Sequence, residues 1–390
     1  MTATATDRTA ELVRAFATTY GREATAGVRA PGRVNLIGEH TDYNDGFCLP
    51  MAIERDVRLV YAPREDDIVR VSSLQGEGVA DFRLATPIAK DADMAWADYV
   101  KGCATVLLEA GIELRGGDLM LSGNVPLGSG LSSSAAIEVA VIHALLALAG
   151  KELPGAEIAT LAQRGENQYV GTNCGILDQL SSASGMDGKA MLMDCRTLAL
   201  TPAPLPDGVS VVIADTGKRR GLVDSAYNER RAQCEAGAAA LGVSHLRDVT
   251  PHGLRAALDD GRIDELAYKR CSFVIAENSR TLAAAACLRA GDVVAFGELM
   301  DQSHAGLRDL YEVTCPELDT MCRIARAQPG CLGSRMTGAG FGGCTVSLVE
   351  EDKAEAFSEA LERDYALAFP DLPVAVYCSR PAPGAGVMPL

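Results

Sequence analysis

Apolar residues fall into two alternating regimes along this chain. Short runs rich in β-branched and other apolar side chains predict strands at 57–61, 68–72, 119–122, 190–193, 209–214, 344–349 and 374–377. Longer stretches with helical spacing predict helices at 11–20, 135–148, 156–169, 225–241, 279–289 and 353–365. The chain is therefore mixed α and β, with no internal repeat and no low-complexity segment. Pro202, Pro204 and Pro206, closed by Gly208, read as a connection between compact units. The expected division is one domain over residues 1–200 and a second over 201–390.

Length and composition agree with that division. At about 150 residues per domain, 390 residues suit a two-domain protein. A hydrophobic fraction of 48% and a charged fraction of 23% allow each domain a real core. The first ten residues lack a basic region followed by an apolar run. The longest apolar stretch, 139–149, is broken by His143 and too short to span a bilayer, so the expectation is a cytoplasmic protein without a membrane partner. A formal charge of −16 argues against a nucleic-acid partner, whose affinity would come from Lys and Arg on phosphates. It leaves room for a small polyphosphate, which needs only a local positive field. Twelve cysteines without a C-x-x-C pair, many within apolar runs, read as buried reduced thiols. The mixed charges on the helices are compatible with a monomer.

Three segments could carry chemistry. In the first, Gly128, Ser129, Gly130, Leu131, Ser132, Ser133 and Ser134 lie between a strand and a strongly helical run. Two glycines let the backbone turn and approach a ligand, and free N–H groups at a helix start suit an anion. An ordinary serine cap is the alternative. The lysine of a Walker loop is missing, so the positive charge has to come from elsewhere.

The second segment, 335–343, satisfies G-x-G-x-x-G through Gly338, Gly340 and Gly343. A dinucleotide site would need a helix after it, yet 344–349 reads as a strand. A glycine-rich turn beside a ligand and a plain hairpin turn both remain open.

The third pairs 31–44 with 171–179. Arg33, Glu39, His40 and Asp42 cluster in a loop-like stretch able to face several hydroxyls, or else a solvated loop capped at Thr41 or Asp42. Asp178 follows an apolar Ile-Leu pair, which suggests a partly buried carboxylate with a cationic partner, either catalytic or a structural ion pair.

Taken together, these segments resemble the galactokinases, within the wider family of homoserine, mevalonate and phosphomevalonate kinases. The stretch from Gly32 to Tyr43 is the most specific part, and the likeness runs nearly the whole length. The resemblance implies an α+β fold, with an N-terminal domain like ribosomal protein S5 domain 2, a C-terminal ferredoxin-like α/β domain, and the active site in the cleft between them. It implies galactose contacts from Arg33, Glu39, His40, Thr41, Asp42, Gly175, Asp178 and Tyr227. ATP phosphates would lie on 128–134, with Mg2+ on Ser134 and Glu166. Asp178 would be the base for the C1 hydroxyl, and Arg33 would stand in for the Walker lysine. An arginine beside a carboxylate makes it a weaker base, so a late proton transfer is expected.

Two rivals keep the same site. A kinase for N-acetylgalactosamine or arabinose would share most polar contacts. A non-catalytic galactose-sensing relative would carry a damaged serine run, whereas Ser132, Ser133 and Ser134 are intact here.

Overall fold

In the computed structural model, which describes residues 5–219 and 223–390, three sheets organise the chain. The largest runs in the order β13 (Gly386–Met388), β1 (Ala26–Asn35), β3 (Pro50–Pro63), β6 (Gly117–Gly123), β4 (Ile68–Ser73) and β5 (Val79–Arg83). A second is ordered β10 (Cys331–Met336), β11 (Cys344–Glu350), β9 (Val209–Asp215) and β12 (Ala375–Ser379), all antiparallel. A small third sheet joins β2 (Phe47–Cys48), β7 (Lys189–Asp194) and β8 (Ala199–Pro204).

Each strand expected from the sequence lies within one of these, to within a residue. Three differences bear on the site. Residues 31–35, the start of the sugar-type segment, form the end of strand β1 and not a loop. Its polar Arg29, Arg33 and Asn35 break the alternation, yet β1 pairs on both sides, with β3 and β13. The proline-rich segment 201–208 is strand for its first half. Pro202 and Pro204 are tolerated there because β8 is the outer strand of its sheet, where a missing N–H costs no ladder bond. The helix expected at 156–169 ends as α-helix at Arg164 and continues as a wider π-turn over Gly165–Val170.

The largest sheet is covered on both faces. Leu12 and Phe16 of the helix Ala5–Tyr20 meet Val60, Ala62, Met120 and Met388 on one face. On the other pack the helices Asp98–Glu109, Ser133–Leu148, Gly155–Arg164 and Leu177–Ser184. Ser133–Leu148 is apolar nearly all round, as a helix buried between neighbours must be. A second core joins Val34, Leu36 and Met51 to Val211, Ile213, Phe296 and Val346. The end of β1 is thereby fixed against the four-stranded sheet. Among the described residues, no helix is long and apolar enough to cross a membrane.

Candidate active site

Strand β1 slips register between Pro31 and Arg33, and a bulge of this kind re-aims a side chain. Arg33 is thereby turned inward and is 5% exposed. Its Nε and Nη2 donate to Asp178 Oδ1 at 2.9 and 2.5 Å, and its Nη1 donates to the carbonyl oxygen of Gly130 at 2.5 Å. Asp178 is the second residue of the short helix Leu177–Ser184, and its side chain keeps 29% exposure toward the cavity. Segments 97 and 145 residues apart in sequence thus meet at one guanidinium. Gly32 permits the approach, since a Cβ there would lie 2.8 Å from the carbonyl oxygen of Leu131.

The serine-bearing turn is not an ordinary cap. Ser132 has a left-handed backbone (φ 63°), and its side chain makes no capping bond to the helix beginning at Ser133. A capping serine needs an extended backbone. Its buried Oγ has no protein partner among the described residues. Gly128, Gly130, Leu131, Ser132, Ser133 and Ser134 line the cavity. Ser129 does not; its fully buried hydroxyl donates to the Pro126 carbonyl at 2.8 Å and closes the turn.

Behind the turn lies a group of acidic side chains. Glu166, on the π-turn, meets the Ser134 hydroxyl and accepts from Gln179 Nε2 at 2.6 Å and from the Cys174 thiol at 3.4 Å. Burial and then the nearby Asp178 raise the Glu166 pKa. Burial, followed by Glu166, pushes Glu138 well above the carboxylate range. Glu138 and Gln179 are not singled out by the sequence motifs. The signal for Glu138 is that it is the sole acidic residue in an otherwise apolar helix.

The sugar-type segment and the glycine-rich turn join at Glu39. This 3%-exposed carboxylate accepts from Gly338 N at 2.8 Å, Thr337 Oγ1 at 3.1 Å, Arg335 Nη1 at 2.8 Å and the Asn35 amide. Burial raises the Glu39 pKa, with Arg335 acting against it. The turn 337–343 is therefore part of the site wall and not a free hairpin, and Gly338 and Ala339 line the cavity.

His40 lies 3.2 Å from the Ala339 carbonyl through Nε2 and 2.8 Å from the Tyr43 hydroxyl through Nδ1. A carbonyl only accepts, so Nε2 carries a proton toward Ala339. Tyr227 closes this side, its ring centroid 5.6 Å from that of His40. Asp42 faces the cavity beside Gly175; a Cβ at Gly175 would fall 1.8 Å from Asp42 Oδ2. Burial, and then Asp178, raise the Asp42 pKa to about 6. Thr41 is not brought to the cavity. Its fully buried hydroxyl donates to the Phe47 carbonyl at 2.8 Å and braces the loop from behind.

The cavity holds about 440 Å³, the size of a small-molecule site. Trp96, Tyr99, Leu127 and Ile137 add an apolar share to its lining that the motifs do not indicate. Arg219 is also missed by the sequence: a Cβ on Gly128 would meet its Cδ at 3.9 Å, and its Nη1 bonds Asp215.

Comparison with known proteins gives a family for the chain. The galactokinase galactose-binding signature matches residues 14–63, the N-terminal domain of the GHMP kinases 98–186, and their C-terminal domain 284–367. A galactokinase of Chloroflexus aggregans is 49% identical over 358 residues, spanning 90% of this chain and 91% of the relative. One from Chloroflexus aurantiacus is 48% identical, spanning 91% and 92%. The crystal structure of Lactococcus lactis galactokinase complexed with galactose superposes with a TM-score of 0.92 at 37% identity, covering 97% of this chain and 99% of that one.

Proposed function

The chain belongs to the galactokinases and is an ATP-dependent sugar kinase with the two-domain GHMP fold, and on that premise we propose how its own residues carry phosphoryl transfer to the C1 hydroxyl of galactose. The observation that carries the reading is the Arg33 guanidinium, shared between Asp178 and the serine turn. In-line transfer asks mainly for positioning and charge stabilisation, and one cation tying base to phosphate loop serves both. The active site is the cleft between a unit over 1–200, resembling ribosomal protein S5 domain 2, and a unit over 201–390. The β-α-β-β-α-β order of the second, with its strands arranged 4-1-3-2 beginning from β12, supports a ferredoxin-like reading. Strand β13 then returns to the first unit's sheet.

In this reading the amides of 128–134 and the orphaned Ser132 hydroxyl hold the phosphates. Arg219, paired with Asp215, adds positive charge beside Gly128, while Arg33 keeps two N–H groups beyond its bonds to Asp178 and Gly130. The aromatic and aliphatic set around Trp96 suits a flat purine. Galactose lies against Asp42, His40 and Tyr227, with Glu39 holding the wall behind them. Gly175 leaves room for the Asp42 carboxylate. Asp178 orients the C1 hydroxyl and takes its proton once the phosphoryl bond has largely formed.

The donors fit magnesium. Ser134 and Glu166 would offer the ion hard oxygens, in a region where buried carboxylates raise one another's pKa. When bound, magnesium would neutralise phosphate charge as it develops. A coupled ADP assay over galactose, N-acetylgalactosamine and arabinose tests the reading; turnover confined to a sugar other than galactose would overturn it.

Two further results are expected. Asp42 titrates near pH 6, so its carboxylate is lost as an acceptor below that value. The galactose KM should rise as pH falls through about 6 while the ATP KM holds steady, and Asp42→Asn should remove the inflection. The folded-state pKa lies above that of a free aspartate, so Asp42's contribution to stability is present below the free value and lost as pH rises through about 6. Asp42→Asn should therefore melt at a higher temperature than the parent at pH 8 and yet bind galactose more weakly; a lower melting temperature would contradict the account. Gly175→Ala drives a methyl into Asp42, and a displacement of about 1 Å at a reacting centre is worth roughly 10²-fold in galactose kcat/KM. Parent-like kinetics for that variant would take Asp42 out of the sugar site.

A further inference from the structure

Gln179 follows Asp178 directly, and the two side chains serve different purposes. Successive residues of a helix point about 100° apart, so Asp178 meets the cavity while Gln179 is fully buried behind it. The Gln179 amide nitrogen has two hydrogens, and both are directed at carboxylates. One goes to Glu166 Oε2 at 2.6 Å and the other to Glu138 Oε2 at 3.1 Å, with the Cys174 sulfur as a longer third contact at 3.6 Å. Glu138 stands four residues after Ser134, one turn along the same face of the helix Ser133–Leu148. The Glu166 carboxylate is thus approached by Ser134 from one helix and by Gln179 from another.

We propose that Gln179 is a positioning residue for the metal-side carboxylate: its amide clamps Glu166 in the orientation that receives magnesium, with Glu138 as the rear anchor of the clamp. The inference rests on the reading of Glu166 as a magnesium ligand. Its chemical logic is that a carboxylate turned toward a metal needs its remaining lone pairs held, and an amide donor does so without adding a competing charge. Because Asp178 and Gln179 are neighbours on one eight-residue helix, the base and the metal ligand are set by a single rigid element. A shift of that helix would move both together.

The test reads metal binding directly. Mn2+ affinity is measured by electron paramagnetic resonance on the full-length protein with a non-hydrolysable ATP analogue. Metal-free analogue binding is followed through Trp96, the single tryptophan. Gln179→Met keeps the bulk and removes both N–H donors, and it should weaken Mn2+ by about 10- to 100-fold. Metal-free analogue and galactose affinities should stay at parent values, a pattern that a merely structural defect would not give. Gln179→Asn, with the amide drawn back by one methylene, should shift Mn2+ in the same direction and serves if the Met variant does not fold. Glu138→Gln keeps an acceptor for Gln179 and should stay near the parent. Glu166→Gln is the control. If it weakens Mn2+ while a folded Gln179 variant binds the ion as the parent does, the positioning role is overturned and the reading of Glu166 stands. If Glu166→Gln leaves Mn2+ binding unchanged, both are overturned.

Discussion

Replacing Asp178 with Asn should cut galactose turnover by about 10²- to 10⁴-fold, the usual worth of a positioned general base. The replacement is nearly isosteric, and its carbonyl can still accept from Arg33, which now reaches Asp178 Oδ1 at 2.9 and 2.5 Å. The guanidinium therefore stays in place and keeps its bond to Gly130. What disappears is the negative charge beside the C1 hydroxyl. Because the serine turn is left intact, nucleotide affinity read through Trp96 should not change, and neither should the melting profile. The loss should fall on kcat more than on either KM, as it does when an interaction is made mainly in the transition state. Turnover near the parent value would remove Asp178 from catalysis and leave it as the structural partner of Arg33.

Much of this site is written locally in the chain, and what is not depends on distant contacts. The serine turn and the strand after Gly343 were legible because glycines and alternation act over a few residues. Strand β1 was not, since Pro31, Gly32 and Arg33 resemble a loop until β3 pairs alongside them across the bulge. The helix Glu265–Ala290 runs well beyond the expected 279–289, because buried Arg270, Glu277 and Asn278 interrupt the apolar pattern while finding partners elsewhere in the fold. The same holds for function. Arg33, Asp178, Glu166 and Tyr227 could be named from the motif resemblance. Glu39 could be named too, but not as the junction that ties the sugar-type strand to the glycine-rich turn some 300 residues later. Thr41 is the reverse case: it sits inside the motif, yet its hydroxyl is spent on the backbone behind the pocket. Gln179 lies at the end of the 171–179 segment without a role that the motif assigns, Arg219 and Trp96 belong to no motif, and only folding brings the three to the cavity, its edge or its rear wall.

The second large effect is expected at Arg33. Its three nitrogens span two acceptors on different segments, a fork that the single ammonium of lysine cannot reproduce. Arg33→Lys would keep the positive charge but release either Asp178 or the Gly130 carbonyl. The serine turn and the base would then lose their fixed separation. In phosphoryl transfer a correctly held arginine contributes about 10³- to 10⁵-fold in kcat, and most of that should be lost in the lysine variant. Retaining the charge separates two accounts of the residue. If Arg33 acts only as a diffuse positive field near the phosphates, Lys should recover activity to within about tenfold of the parent, since Coulomb attraction changes little with the shape of the cation. If it acts as the bracket that holds base and loop together, Lys should be nearly as damaging as Met. The bracket account also predicts that Arg33→Lys and Asp178→Asn combine to much less than the product of their separate losses, because once the carboxylate charge is gone there is no base left for the bracket to hold. Multiplicative losses in the double variant would mean that the two residues work independently.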